Sequence, residues 1–150
     1  MKKFFDPFRK KWLFLTPEEK VRQSVVQAML ALGYPKSQIA LEVGLESLAH
    51  LQGKNNVAVR RIDIISFAKN IHPKYPLYPL LLVECKVDKT NHAASFKQLL
   101  GYQAVIKPFF FALADEESMQ TFWYDQKNLK SVDGLLAYSQ ILHLLKALCI

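Results

Sequence analysis

Two charged residues, Glu84 and Lys86, are separated by one residue within an otherwise apolar segment, residues 80–87. If this segment is a β-strand, side chains alternate between its faces, so Glu84 and Lys86 share one face and Cys85 points to the other. Charges on a buried strand cost free energy unless they are paired, hydrogen-bonded or bound to an ion. A Glu–Lys ion pair would meet this requirement, and the tripeptide by itself favours that structural interpretation.

A third charged residue, Asp63, strengthens the alternative of a chemical site. It lies on the preceding predicted strand, and the connection to Glu84 is long enough to make the two strands neighbours. Two carboxylates offer the oxygen ligands that Mg²⁺ binds, with water and a substrate phosphate completing its coordination. Such an ion can polarise a phosphoryl oxygen and lower the pKa of an attacking water. Lys86 could hold that water and stabilise the developing charge, so the three residues suit phosphodiester hydrolysis.

Hydrophobic periodicity predicts the elements that must position these residues. A first helix begins after Thr16, which can cap it, with Pro17 at the first helical position and Glu19 completing a capping box; Gly33 marks its end. Apolar residues then alternate over residues 39–45, as in a half-buried strand. The same criteria predict further strands over residues 57–67, 80–87 and 109–114, and helices over residues 95–106 and 135–148.

Two irregular segments interrupt this pattern. In the second predicted strand the apolar phase switches at Arg60 and Arg61, which predicts a bulge or bend just before Asp63, after a turn over residues 52–56. Residues 72–79 contain three prolines, which predict a connecting loop that is neither helix nor paired strand.

Composition limits the class of protein. The chain has 150 residues, 51% of them hydrophobic, which fits a single folded domain over residues 16–150 preceded by a basic, aromatic arm over residues 1–15. The net charge is +7, and residues 54–107 hold 9 basic and 3 acidic side chains, which favours a polyanionic partner. Two cysteines, no apolar signal segment and no apolar run of membrane-spanning length predict a cytoplasmic protein without membrane association.

Several short motifs, taken in order, resemble the PD-(D/E)XK nuclease superfamily. They are Asp63, the triplet Glu84-Cys85-Lys86, and the Gln-x-x-x-Tyr pair Gln98 and Tyr102. Together with Thr16-Pro17-Glu18-Glu19 and Gly33-Tyr34-Pro35-Lys36, they are most similar to the N-terminal nuclease domain of type I restriction enzyme R subunits. The likeness covers about residues 16–113.

The resemblance implies a fold and a site. The fold would be of the α/β (α+β) class, with an αβββαβ restriction-endonuclease-like core and a central mixed sheet flanked by helices. Asp63 and Glu84 would bind Mg²⁺ or Mn²⁺, with the Cys85 carbonyl as a further ligand and Lys86 as the catalytic lysine. Gln98 and Tyr102 would face the metal and the nucleic-acid backbone. A further acidic residue on the first helix would be Glu19, for which Glu18 competes.

Three functions from different classes remain open. The leading one is a Mg²⁺-dependent DNA nuclease, with Arg60, Arg61, Lys89 and Lys97 neutralising phosphates. The second is a catalytically silent nuclease-fold module that docks nucleic acid or a partner subunit, and the third is a protein-interaction domain using the leucine-rich C-terminal helix. The chain has no Gly-x-x-x-x-Gly-Lys-Ser/Thr phosphate loop, so we expect a stand-alone domain without a motor or nucleotide cofactor; a homo-oligomer or a partner subunit stays possible.

Overall fold

The computed structural model describes residues 1–51, 61–87 and 91–148. The helices are α1 (Pro17–Ala31), α2 (His92–Ile106) and α3 (Tyr138–Leu148), and single 3₁₀ turns lie at residues 36–38, 45–47 and 49–51. The strands are β1 (Lys3–Asp6), β2 (Lys11–Phe14), β3 (Ile39–Val43), β4 (Ile62–Lys69), β5 (Leu77–Cys85), β6 (Phe110–Ala114), β7 (Met119–Asp125) and β8 (Asn128–Asp133).

Helix α1 begins where the capping signal predicts. Thr16 is the N-cap, and its side-chain oxygen accepts a hydrogen bond from the Glu19 backbone N–H at 3.1 Å. The Glu19 carboxylate turns away from the cap and binds Arg9 and Arg22. The predicted start of the helix is therefore confirmed, while the acidic residue of the capping box is used in an ion network.

The central sheet has six strands in the order β3-β4-β5-β6-β7-β8. Neighbouring strands are antiparallel except β5 and β6, which are parallel and are joined through α2. One sheet face packs against α1 and α3 through residues such as Met29 and Ile141, and the other packs against α2 through Leu99 and Ile106. A mixed sheet flanked by helices confirms the predicted α+β class.

Strand β5 corrects one prediction. Residues 77–79 were expected in an unpaired proline loop, but they pair with β4, where Pro79 lies opposite Phe67. Proline is tolerated there because the β4–β5 register shifts between Ser66 and Phe67, and because β5 pairs with β6 only from Leu81 onward. The turn predicted over residues 52–56 lies outside the described residues. The bulge predicted at Arg60 and Arg61 includes Arg60, which also lies outside them.

Strands β7 and β8 were not predicted from the sequence. They form a hairpin in which Asp125 pairs with Asn128, and they extend the sheet beyond β6. Most side chains of β8 are exposed, so this edge strand carries little of the apolar alternation that identifies half-buried strands.

Residues 1–15 fold as a hairpin. Strands β1 and β2 pair antiparallel, and Asp6 is fully buried beneath the turn that joins them. The helices of the described part of the chain are all too short or too polar to cross a lipid bilayer.

Candidate functional site

Asp63 and Glu84 lie beside one another on adjacent strands. Ile64 of β4 is opposite Val83 of β5, and continuing this antiparallel register by one residue places Asp63 next to Glu84. Both residues line a cavity of about 470 Å³. Asp63 is 6% exposed, and its Oδ2 accepts a hydrogen bond from the Cys85 backbone N–H at 2.9 Å.

Lys86, the residue that follows β5, lines the same cavity. Its backbone N–H donates to the Ala114 carbonyl at 2.8 Å, which fixes the end of the strand against β6. Its Nζ lies 3.0 Å from Nδ1 of His92, the first residue of α2. The structure therefore brings Asp63, Glu84 and Lys86 together around one space.

Gln98 and Tyr102 line the cavity from α2. Because they are four residues apart, they share one face of the helix, and Gln98 Nε2 donates to the Tyr102 hydroxyl at 3.0 Å. The second helix thus presents a polar pair to the space that the strand residues line.

Arg22 of α1 also contacts the Asp63 carboxylate. Its side chain is 3% exposed, and its Nη2 donates to Asp63 Oδ1 at 2.6 Å and to Glu18 Oε1 at 2.9 Å. Nη1 forms an ion pair with Glu19 and lies 3.3 Å from Glu42 Oε1. One guanidinium therefore contacts four acidic side chains, of which Glu19 and Asp63 are buried.

The structure separates the two acidic residues that competed on the first helix. Glu19 is 7% exposed, and both of its oxygens accept hydrogen bonds from Arg9 at 2.8 Å. It lines a neighbouring cavity with Arg9, whereas Glu18 lines the cavity that contains Asp63. The structure does not bring Glu19 into that cavity as the sequence suggested, because its carboxylate is already bound by two arginines.

The crowding of acidic groups changes their ionisation. Burial and the nearby Asp63 carboxylate raise the pKa of Glu84 to about 8. The same two causes raise the pKa of Glu18, although Arg22 opposes them. For Glu19, burial is outweighed by the hydrogen bond from Arg9 and the charges of Arg22 and Arg9, so its pKa is lowered. Burial also raises the pKa of the Cys85 thiol well above its usual range, so the thiol is not an activated nucleophile.

The donor set fits a hard divalent cation. In the described ranges, no three His, Cys, Asp or Glu side chains form a complete metal cluster. Mg²⁺, however, is usually held by one or two carboxylates, with water and phosphate oxygens as its other ligands. Oε1 of Glu84 is buried with no hydrogen-bond partner among the described residues. A cation beside Asp63 and Glu84 would satisfy this oxygen and relieve the repulsion between the two carboxylates.

Of the four basic residues predicted to contact nucleic acid, the structure describes Arg61 and Lys97. Arg61 lines the cavity and donates to the Glu42 carbonyl at 3.0 Å. Lys97 is exposed on α2, one residue before Gln98. Arg60 and Lys89 lie outside the described residues.

Sequence reasoning missed Arg22 and His92, although one of them had a signal. Arg22 falls on the apolar stripe of the first helix with Val25, Val26 and Met29, all of which are buried. A charge on that stripe indicates a buried partner. His92 had no such signal, because its contact with Lys86 depends on where α2 begins.

The chain belongs to the family described as "Type I restriction enzyme R protein N terminus". The model of that family matches residues 17–135, which include every candidate site residue described above. No curated protein and no solved structure matched the chain in the corresponding searches. The protein is therefore related to the N-terminal domain of a restriction enzyme subunit, in agreement with the resemblance carried by its motifs.

Proposed function

We propose that the chain is a nuclease domain that hydrolyses DNA phosphodiester bonds with the help of Mg²⁺ or Mn²⁺. The observation that carries this proposal is the convergence of Asp63, Glu84 and Lys86 in one cavity, with the Gln98–Tyr102 pair on its other side. Membership of a restriction enzyme family supports a DNA substrate.

In this proposal Asp63, Glu84 and the Cys85 carbonyl hold the cation. The cation would supply Lewis-acid polarisation of the phosphoryl oxygen and a bound water of lowered pKa. Asp63 is kept in a fixed orientation, since Oδ1 accepts from Arg22 and Oδ2 accepts from the Cys85 N–H. Preorganisation of this kind lowers the cost of reaching the reactive geometry.

Lys86 and the α2 pair act on the phosphate and the nucleophile. Lys86 Nζ is held near His92, from where it can hydrogen-bond to the attacking water and to the oxygen that gains negative charge. The Gln98 amide and the Tyr102 hydroxyl can bind non-bridging phosphate oxygens. Arg61 at the rim can neutralise a neighbouring phosphate.

The test is cleavage of linear, circular and single-stranded DNA with Mg²⁺ or Mn²⁺. We expect Lys86→Ala and Asp63→Asn each to lower the cleavage rate by roughly 100-fold or more, as removal of one transition-state-stabilising group does. Lys146→Ala, on the last turn of α3, serves as a matched lysine control that should cleave as the wild type does. Cleavage that survives both site substitutions would refute the assignment.

A catalytically silent module that binds nucleic acid or docks a partner is the second candidate. One observation favours it: the Arg22 guanidinium occupies Oδ1 of Asp63, which the nuclease proposal assigns to a metal ligand. In that case DNA would bind with either metal present, and no product would form. Calorimetric titration with Mn²⁺ separates the two candidates. A nuclease should give binding heat that the Asp63→Asn substitution abolishes, whereas the silent module should give no such heat.

A further inference from the structure

The outer face of the N-terminal hairpin is made of aromatic rings. Phe5 pairs across the strands with Trp12, and Lys3 pairs with Phe14, so all four side chains lie on the same face. The exposed fractions of Phe5, Trp12 and Phe14 are 49%, 68% and 52%. The exposed face of a hairpin is normally polar, and a contiguous aromatic patch on a surface marks a binding site.

The opposite face of the hairpin holds it against the domain, and these contacts do not involve the aromatic patch. Asp6 is fully buried, and it accepts hydrogen bonds from the Phe8 N–H and from Arg9. Arg9 in turn donates both Nη groups to Glu19 of α1. The hairpin is therefore attached to the domain through its inner face, and the three exposed rings are not required for that attachment.

The exposed charges of the hairpin itself are positive, whereas Glu18, Glu19 and Glu42 line the cavity that Phe14 also lines. Lys2, Lys3, Lys10 and Lys11 are all exposed; Lys3 lies on the aromatic face and Lys10 in the turn, whereas Lys11 pairs with Asp6 and lies on the other face. The one acidic residue of this segment, Asp6, is buried and paired with Arg9. A partner that complements this surface must be polyanionic and must offer flat apolar groups to the rings.

Single-stranded nucleic acid has both properties. Its phosphates match the lysines, and its unpaired bases have π faces that stack on aromatic side chains. Duplex DNA offers the same phosphates, but its base faces are stacked inside the helix. The exposed rings thus favour a single strand over a duplex.

The position of the hairpin favours nucleic acid over other polyanionic surfaces. Leu13 and Phe14 line a cavity of about 270 Å³ together with Glu18. Glu18 also lines the larger cavity that contains Asp63 and Glu84. The aromatic patch therefore begins beside the candidate active site, where a strand held on the hairpin could continue into the cavity.

We propose that the outer face of the β1–β2 hairpin, formed by Lys3, Phe5, Trp12 and Phe14, binds single-stranded nucleic acid and guides it to the candidate active site. The guiding role rests on the proposed nuclease function. The binding itself does not, since it requires neither the metal nor Lys86.

The experiment measures binding of the full chain to a labelled oligothymidylate in the presence of EDTA, by fluorescence anisotropy, with a duplex of the same length as comparison. Trp12→Leu keeps an apolar side chain but removes the ring, and we expect it to weaken single-strand binding by about fivefold or more, the typical loss for one stacked base. Trp12→Phe keeps a ring and should retain most of the affinity. Tyr124→Ala, an aromatic residue that is 40% exposed on β7, is the matched control and should bind as the wild type does.

Salt dependence tests the lysines separately. Replacing Lys3 and Lys10 by alanine should reduce the slope of log K against log salt by roughly 0.7 per lysine. Lys130→Ala on β8 should leave the slope unchanged. Circular dichroism and the thermal midpoint of each variant show whether it folds.

Several results would overturn the proposal. Equal affinity of the wild type and Trp12→Leu for the single strand would do so, as would tighter binding to the duplex. Binding to vesicles of anionic phospholipid that depends on Trp12, without oligonucleotide binding, would assign the patch to a membrane surface instead. A wild type that binds the single strand through Trp12 yet never cleaves DNA would refute the nuclease proposal and with it the guiding role, and would leave the binding role of the hairpin intact.

Discussion

Nη2 of Arg22 donates a hydrogen bond to Oδ1 of Asp63 over 2.6 Å, joining α1 to β4 across 41 residues of sequence. The other oxygen of Asp63 accepts from the Cys85 N–H. In the nuclease proposal, Asp63 would either use its remaining lone pairs for a cation or exchange Arg22 for it. The guanidinium already supplies positive charge beside Asp63, where the nuclease proposal places a divalent cation.

Replacing Arg22 by methionine should destabilise the protein. The substitution keeps a long side chain but leaves Asp63 and Glu19 short of a buried partner, and breaking such a pair costs about 3–5 kcal/mol. Mn²⁺ should recover part of this loss, because it supplies positive charge next to Asp63. Urea unfolding with and without Mn²⁺ measures both effects.

Lys20→Ala, exposed on the same helix, should stay within about 0.5 kcal/mol of the wild type. A metal-free Arg22→Met protein as stable as the wild type would contradict the role given to this arginine.

Replacing Glu84 by glutamine should stabilise the metal-free protein at alkaline pH. The pKa of Glu84 is raised from 4.5 to about 8, first by burial and then by Asp63. The group therefore contributes stability that is fully present below pH 4.5 and is lost as the pH rises through 8. Glu84→Gln escapes this loss, and we expect its thermal midpoint to exceed that of the wild type at pH 8, by about 2–4 °C for each kcal/mol.

The advantage of Glu84→Gln should disappear as the pH is lowered toward 4.5. Glu117→Gln, in an exposed turn, is a control for the change of one acid to an amide. A midpoint difference that is independent of pH would show that Glu84 does not titrate in this range.

Glu18 and Glu19 should respond differently to the same substitution. The pKa of Glu19 is lowered by its two arginines despite burial, so its stabilising effect is present above the ordinary value of 4.5 and is lost as the pH falls below it. Glu19→Gln should accordingly lower the thermal midpoint at pH 7, with a difference that shrinks in acid. Glu18→Gln should leave stability nearly unchanged, because its side chain is 54% exposed, but should slow metal-dependent cleavage by about tenfold. Equal effects of the two variants on both measurements would refute this division.

His92 is expected to position Lys86. Its Nδ1 lies 3.0 Å from Lys86 Nζ, and the ring is exposed, so His92→Ala should lower kcat by about tenfold with little effect on KM or on the thermal midpoint. His92→Asn retains a side-chain acceptor and should restore part of the rate. His143→Ala on α3 is the matched control. Unchanged kcat in His92→Ala would show that His92 does not position Lys86.

The sequence was sufficient for those elements that follow a hydrophobic period. The predicted helices and the strands that became β3, β5 and β6 were found, with boundaries shifted by up to about three residues, since side-chain patterns do not fix where a helix frays. Strand β8 was missed because its side chains are mostly exposed. The turn between β7 and β8 also lacked a sequence signal. Gln126 adopts a φ of 59° there, a conformation in which Asn or Gly is usually found.

The site was predictable as far as each residue could be placed on its own element. Asp63, Glu84, Lys86, Gln98 and Tyr102 were identified from their motifs, and the structure brings them to one cavity. The choice between Glu18 and Glu19 was not predictable, because it depends on Arg9, which reaches Glu19 only after the hairpin has folded back onto α1. Glu42 is a similar case: its φ of 52° and its approach to Arg22 depend on tertiary contacts.

The ionic connections run without interruption from Asp6 through Arg9, Glu19 and Arg22 to Asp63. A shortened protein that begins after residue 15 would lose the first two members, and Glu19 would keep its ion pair with Arg22 but lose the two hydrogen bonds from Arg9. Trimming the amino terminus for crystallisation, or fusing a tag close to the hairpin, would therefore alter the ionic connections that end at Asp63. A tag at the opposite terminus, beyond α3, avoids this interference.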